Sequence, residues 1–125
     1  MLVPNEVEIN YLVPDALSLE EKVEVLLNRG APRVVLTLSE KGCYYADKNK
    51  TQYFEPMEVE VVDTTGASDA FISALAVFLA EGIQMTRAID FANIAAGISI
   101  SRIGVQSALA DRNTIETMYK HKEKN

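Results

Sequence analysis

Residues 66–81 constrain this chain more than any other stretch. Ala67, Ala70, Phe71, Ile72, Ala74, Leu75, Ala76, Val77, Phe78 and Leu79 leave almost no polar face. A helix that is apolar all round is one buried within a larger protein. Gly82 closes the helix. The next segment, running to about Ile100, carries Ala88, Ala92, Ala95, Ala96 and Gly97. Small residues on a helix let another backbone, or a flat ligand, come close. Thr86 is placed to cap that helix. Asp111 is placed to cap a last amphipathic one containing Ile115 and Met118.

The first half of the chain mixes helix and strand signals. Asn5 stands where it can cap a short helix bearing Ile9 and Leu12. Ser18 followed by Glu21 is a capping box that opens a helix with Val23, Leu26 and Leu27 on one face. Gly30 and Pro32 end it. Residues 33–38, Arg-Val-Val-Leu-Thr-Leu, read as a strand buried on both faces, as in a parallel sheet. Gly42 marks a turn. Residues 43–46 and 51–54 flank the polar stretch from Asp47 to Lys50, the pattern of a hairpin. Residues 58–62 alternate charged and apolar side chains and predict one more short strand. Helix, strand and hairpin in this order predict an α/β layer fold.

Composition narrows the partners. With 125 residues the chain can bury one real core. Its net charge of −6 opposes phosphate backbones and argues against nucleic acid. A single nucleotide remains possible, because a nest of backbone N–H groups binds phosphate without a basic protein. The lone Cys43 excludes an internal disulfide and a cysteine metal cluster, which fits a reducing compartment. His121 sits in a Lys-rich tail, and one histidine does not make a zinc site. No apolar run nears the ~20 residues that span a bilayer, and residues 1–8 lack a signal-peptide pattern. We therefore expect a cytoplasmic protein with no membrane partner.

The chemistry concentrates in residues 62–71, Val-Asp-Thr-Thr-Gly-Ala-Ser-Asp-Ala-Phe. A strand ends, small residues follow, and the greasy helix begins. The first N–H groups of a helix lack intrahelical partners and, with the helix dipole, form an anion site. Gly66, Ala67 and Ser68 are small enough to admit a phosphate. Asp69 suits the dipole yet repels an anion. It makes sense beside phosphate if it takes a proton from an attacking hydroxyl. The bland alternative is an ordinary turn followed by a good first-turn residue, and spacing alone leaves both open. Neither the Walker A pattern nor the protein-kinase motifs are present.

DTTGASDAF resembles the C-terminal signature of the ribokinase (PfkB) family, usually DTxGAGDxF. Residues 4–8, Pro-Asn-Glu-Val-Glu, resemble its NxxE motif. Residues 37–42, Thr-Leu-Ser-Glu-Lys-Gly, resemble its TxGxxG strand and loop. Phe91-Ala92-Asn93 through Arg102-Ile103-Gly104-Val105-Gln106 resemble its late helix and RxGAQ-like loop. Four motifs in the family's order span nearly the whole chain. The resemblance implies a three-layer ribokinase-like, Rossmann-like α/β sandwich, C-terminal part only, with a β-hairpin. It implies ATP-dependent phosphorylation of a sugar hydroxyl. Asp69 would be the catalytic base, and the amides of Gly66, Ala67 and Ser68 the anion hole. Thr37, Ser39, Lys41, Gly42 and Asn93 would bind nucleotide. Asn5 and Glu8 would act on Mg²⁺, mostly through water. Asp63, Thr65, Ser99, Arg102 and Gly104 would surround a monovalent cation, usually K⁺.

The departures from the family pattern matter equally. Ser68 replaces the second glycine of GAGD, where a β-carbon would crowd the phosphate or strain a backbone that prefers positive φ. Ser39 replaces a common glycine of the nucleotide loop, and Ala108 falls near a usual hydroxyl. The family also carries a region ahead of NxxE with half the sheet, most sugar contacts and a lid. We therefore expect no sugar phosphorylation by this chain alone, and self-association through an exposed sheet edge. A nucleoside kinase, or a non-catalytic nucleotide-binding or interaction module built on the same fold, remains an alternative.

Overall fold

A computed structural model of the chain describes residues 1–15, 17–101 and 112–124. The chain divides into two compact units, Met1–Glu55 and Pro56–Asn125.

In the first unit, Asn5 caps helix α1 (Glu6–Leu12) and Ser18 caps helix α2 (Leu19–Asn28). Both caps are complete capping boxes. The Ser18 hydroxyl accepts from the Glu21 amide at 3.1 Å, and the Ser18 amide donates to the Glu21 carboxylate at 3.2 Å. These bonds hold the Glu21 carboxyl below its ordinary range, the Ser18 amide contributing most. At the other end of α2 the amides of Gly30 and Ala31 donate to the carbonyls of Leu27 and Leu26. This is the crossed pair that glycine just past a helix end makes accessible.

Strands β1 (Arg33–Thr37), β2 (Cys43–Asp47) and β3 (Thr51–Phe54) form an antiparallel sheet in that order. The hairpin predicted between residues 43 and 54 is present, with Tyr44 facing Tyr53 and Cys43 facing Phe54. The parallel neighbour expected for β1 is only a two-bridge contact, Leu2 with Val34 and Asn5 with Thr37. Its other edge pairs antiparallel with β2. Paired on both edges and buried at Val34, Val35, Leu36 and Thr37, β1 has no polar face to show. Its unbroken apolar run reports burial rather than strand direction. Ile9, Val13, Val23, Leu26, Val34, Leu36 and Ala46 close the core of this unit. Each large aliphatic side chain there contributes about 1.5–3 kcal/mol relative to exposure.

The hairpin turn is organised by Asp47. Its carboxylate accepts from the amides of Asn49 at 2.7 Å and Lys50 at 2.9 Å, and from the Tyr45 hydroxyl at 2.7 Å. These donors hold the Asp47 carboxyl below its usual range, Tyr45 first. Burial, reinforced by Asp47, pushes the Tyr45 phenol up to about 12.

In the second unit, α3 (Ala67–Ala80) packs on α4 (Met85–Ile100), and α5 (Arg112–Lys124) packs on α4. Phe71, Leu75 and Phe78 are the buried face of α3. The opposite side of this apolar helix is uncovered within the chain: Ile72 is 44% and Val77 54% exposed. Helix α4 covers one side of α3, and the opposite side stays open. Phe91 of α4 lies 4.6 Å from Phe78 and 4.7 Å from Tyr119, ring centre to ring centre. Arg87 stacks over the rings of both Phe91 and Tyr119.

The small residues of α4 answer a local need. A β-carbon on Gly97 would lie 3.0 Å from the β-carbon of Met57, so the segment entering this unit runs against α4 there. Residues 58–62 do not form the predicted strand. Val61 makes one antiparallel bridge, with Ser101. Val61 and Val62 are exposed, so the alternation has no apolar surface to cover. Helix α4 is capped at Gln84, not Thr86, which lies one turn position inside it. The chain leaves α3 through Gly82 and Ile83, whose amides donate to Leu79 and Phe78. That leaves no room for a longer lead-in. Asp111, expected to cap α5, lies outside the described residues, as do Arg102, Gly104 and Ala108. Ile115 of α5 is buried as expected. No helix among the described residues is long and apolar enough to cross a membrane.

Candidate active site

In the second unit, residues 62–69 build a turn that hands the chain to α3. Gly66 is the N-cap, in the left-handed region at φ 85°. Nothing lies within 4 Å of where its β-carbon would stand, so the backbone angle alone favours glycine here. Asp63 organises the turn from the other side. Its carboxylate accepts from the Thr65 amide at 2.9 Å. That amide, with the Thr65 hydroxyl behind it, holds the Asp63 carboxyl below its ordinary range.

Four amides point toward the start of α3, and they are not equivalent. The Ala67 amide donates to the Thr64 carbonyl at 3.2 Å and closes the turn. Among the described residues no protein oxygen accepts from the amides of Gly66, Ser68 or Asp69. Helix geometry gives those positions no intrahelical partner. Asp69 is an exposed residue in the first turn of α3, and its own amide is one of these three donors. The strain expected at Ser68 is absent. Ser68 lies inside α3, and the one non-glycine residue with positive φ among the described residues is Ser39, at 57°. A helical position needs no glycine, so a β-carbon at Ser68 costs nothing in backbone terms.

The end of α4 closes on the same turn. The Ile100 carbonyl accepts from the amides of Val62 at 2.7 Å and Asp63 at 3.2 Å. Asp63 and Thr65 are thereby held near Ser99 and Ser101. A carbonyl has two lone pairs, and both are in use at Ile100. The Ser99 hydroxyl donates back to the Ala96 carbonyl at 2.7 Å, and the Ser101 hydroxyl to Ile98 at 2.8 Å. Of the candidate cation ligands, the described ones therefore offer the Asp63 carboxylate and the Ser99 carbonyl. Ile100 is a tie that no side-chain pattern encodes, and sequence reasoning missed it. Asn93 is buried in α4 with its polar atoms engaged.

The first unit holds the other candidates. Asn5 and Glu8 cap each other: the Asn5 side chain accepts from the Glu8 amide at 2.8 Å, and the Asn5 amide donates to the Glu8 carboxylate at 3.0 Å. Next to them, the Thr37 amide and hydroxyl donate to the Pro4 carbonyl at 2.9 Å and 3.4 Å. The NxxE-like segment and the start of the TxGxxG-like loop are thus laid side by side. Thr37 is buried and turned inward. The loop itself is a 3₁₀ turn, Ser39–Lys41. Lys41 and Leu38 amides close it on the Leu38 and Gly42 carbonyls, and the Tyr53 hydroxyl of β3 donates to the Lys41 carbonyl. Ser39, Glu40 and Lys41 are all exposed at its tip. Among the described residues no three of His, Cys, Asp and Glu come together to hold a metal directly. Glu8 is exposed, which suits a carboxylate acting on Mg²⁺ through water.

Residues 1–112 match the model of the pfkB family carbohydrate kinases. A ribokinase of Bacillus subtilis is 36% identical over 117 residues, which are 94% of this chain and 38% of that protein. The crystal structure of a ribokinase from Thermotoga maritima is similar at a TM-score of 0.86 with 38% identity, over 94% of this chain and 41% of that one. The Arabidopsis thaliana ribokinase solved with ribose and ATP is similar at 0.83 with 28% identity, over 95% of this chain and 40% of its own. The chain spans about two fifths of the length of the relatives it matches.

Proposed function

The chain belongs to the pfkB family of carbohydrate kinases, and on that premise we propose that it supplies the ATP site, the anion hole and the catalytic base for phosphorylating a sugar hydroxyl. The observation that carries this reading is the start of α3, where three unengaged amides and the exposed Asp69 fall within four consecutive residues, 66–69. The Asp69 carboxylate takes the proton of the attacking hydroxyl as its oxygen forms a bond to the γ-phosphorus of ATP. The bond to the ADP oxygen breaks. Charge gathering on the transferring group falls on the amides of Gly66, Ser68 and Asp69. Phosphoryl transfer depends mainly on such positioning and electrostatics. One lost donor of this kind costs about 2.7–4 kcal/mol in other enzymes.

The loop at Ser39–Lys41, with Gly42 behind it, holds the nucleotide, helped by Thr37 and Asn93. Bound Mg²⁺ would neutralise phosphate charge, and Asn5 and Glu8 would reach it through water. Asp63, with Thr65 and the Ser99 carbonyl, fits one side of a monovalent cation; Arg102 and Gly104 complete that set in this reading. A cytoplasmic setting accords with the lone, buried Cys43, which is in no disulfide.

The sugar-selecting parts are not assigned to this chain, so we propose that it binds nucleotide but does not phosphorylate sugar alone. The test joins it to the sugar-binding portion of the Thermotoga maritima ribokinase and follows ribose-dependent ADP release. The joined enzyme turns over, Asp69→Asn lowers kcat by about 10²–10⁴ as a lost general base does, and the isolated chain is silent. Unchanged kcat in Asp69→Asn would remove the base. The outer strand β3 pairs only with β2 among the described residues, with Gln52 and Tyr53 exposed. Self-association through that edge belongs to the same proposal; a single monomer mass by light scattering counts against it.

A further inference from the structure

One pocket of the second unit takes no part in the proposed phosphoryl transfer. It opens between α4 and α5, has a volume of about 320 Å³, and is lined by Ile83, Arg87, Phe91, Glu116, Tyr119 and Lys120. Arg87 and Ile100 lie near opposite ends of α4. At about 1.5 Å per residue, that stretch puts the pocket about 20 Å from the turn that Ile100 ties down. Phe91 is buried, and Tyr119 is half-buried. The Arg87 guanidinium rests 5.5 Å from the centre of each of these rings. A ring face attracts the cation without satisfying its N–H donors as an oxygen would. Among the described residues neither Arg87 nor Lys120 has an ion-pair partner.

The helix adds to this charge. Arg87 stands in the first turn of α4, which holds no acidic residue and has no side-chain cap. The dipole is positive there, so the guanidinium reinforces that field instead of offsetting it. In a chain of net charge −6 such a spot is a local exception. What it attracts is an oxyanion, held by the planar guanidinium fork. Glu116 shares the lining and repels a doubly charged phosphate more than a singly charged carboxylate. The volume stands at the low end for ligand sites and suits a single ring. We propose that this pocket binds a small aromatic carboxylate. Its carboxylate meets Arg87 and Lys120, and its ring lies against Ile83, Phe91 and Tyr119.

Amide shifts of the full chain, followed during titration with benzoate, benzyl alcohol, acetate and phenyl phosphate at constant ionic strength, test it. Benzoate should give saturable shifts at the residues that line the pocket. Benzyl alcohol keeps the ring without the charge and should bind about tenfold more weakly, the size of a lost charge-assisted hydrogen bond. Acetate, which lacks the ring, and phenyl phosphate, which carries more charge, should also bind more weakly than benzoate. Arg87→Gln should weaken benzoate by about tenfold, and Lys120→Gln should weaken it in the same direction. Lys120 is exposed, so that variant keeps the test open if Arg87→Gln misfolds. Equal binding of benzoate and benzyl alcohol, tighter binding of phenyl phosphate, or the absence of saturable shifts would overturn the site. So would a preference for benzoate that survives both variants. Each of these results leaves the kinase reading standing, since its own test is sugar-dependent turnover.

Discussion

Gly97→Ala separates helix propensity from packing. Alanine in the middle of a helix is favoured over glycine by about 0.8–1 kcal/mol, so on propensity alone the variant should be more stable. The new β-carbon would stand 3.0 Å from the Met57 β-carbon, with the Met57 methyl at 3.4 Å and its sulfur at 3.8 Å. The closest atom is fixed to the backbone, so rotating the Met57 side chain does not clear it. The segment at Met57 must move by a few tenths of an ångström, and overpacking of this kind costs about 1–3 kcal/mol. The expected balance is a loss of about 0–2 kcal/mol. Urea unfolding followed by circular dichroism measures it, with an unchanged slope confirming that the denatured state is comparable. Gly97→Val should lose more, and Met57→Gly should return Gly97→Ala to a net gain. A gain of about 1 kcal/mol for Gly97→Ala in the otherwise wild-type chain would refute the contact.

Two further outcomes follow from the turns. Gly66→Ala has free space around its β-carbon, so only backbone strain remains; it should cost about 1–2 kcal/mol, offset by about 0.4–1 kcal/mol from a stiffer unfolded chain, as urea unfolding would show. Stability should also fall at both ends of the pH scale. The carboxyls of Asp47, Asp63 and Glu21 are held below their ordinary values of 3.8 and 4.5, so the unfolded chain takes up protons first as pH drops through about 4 and unfolding gains. Tyr45 is pushed the other way, to about 12. The unfolded chain therefore loses its phenolic proton first above about pH 10, and stability falls there too. Asp47→Asn should shrink the acid-side loss in a pH series of thermal melts.

Local chemistry was the legible part of this fold. Asn5, Ser18 and Glu21 announce their capping boxes because capping needs those side chains at that spacing. Gly30 and Gly82 announce helix ends because glycine readily takes the positive φ found there. The run at Val34, Val35 and Leu36 announced burial but not its partners, because strand direction is decided by distant residues. The alternation at residues 58–62 misled, since period-two patterning stabilises a strand only against an apolar face. The small residues of α4 read equally well as room for a ligand or for backbone; at Gly97 the room is taken by the Met57 side chain. At the candidate site the residues of the turn were visible, but their division of labour was not. Nothing in the letters shows that Ala67 closes the turn while Gly66, Ser68 and Asp69 keep open donors. Nor do they show that the backbone strain lies at Ser39 rather than Ser68, since both replace glycines and only the dihedral angles distinguish them.

The start of α3 is where the whole account stands. Amide proton and nitrogen shifts of the isolated chain, followed during titration with ATP and Mg²⁺, test it directly. Saturable shifts at Gly66, Ser68 and Asp69, larger than at the engaged amide of Ala67, are the predicted result. Bound ATP that leaves those three amides unmoved would contradict it.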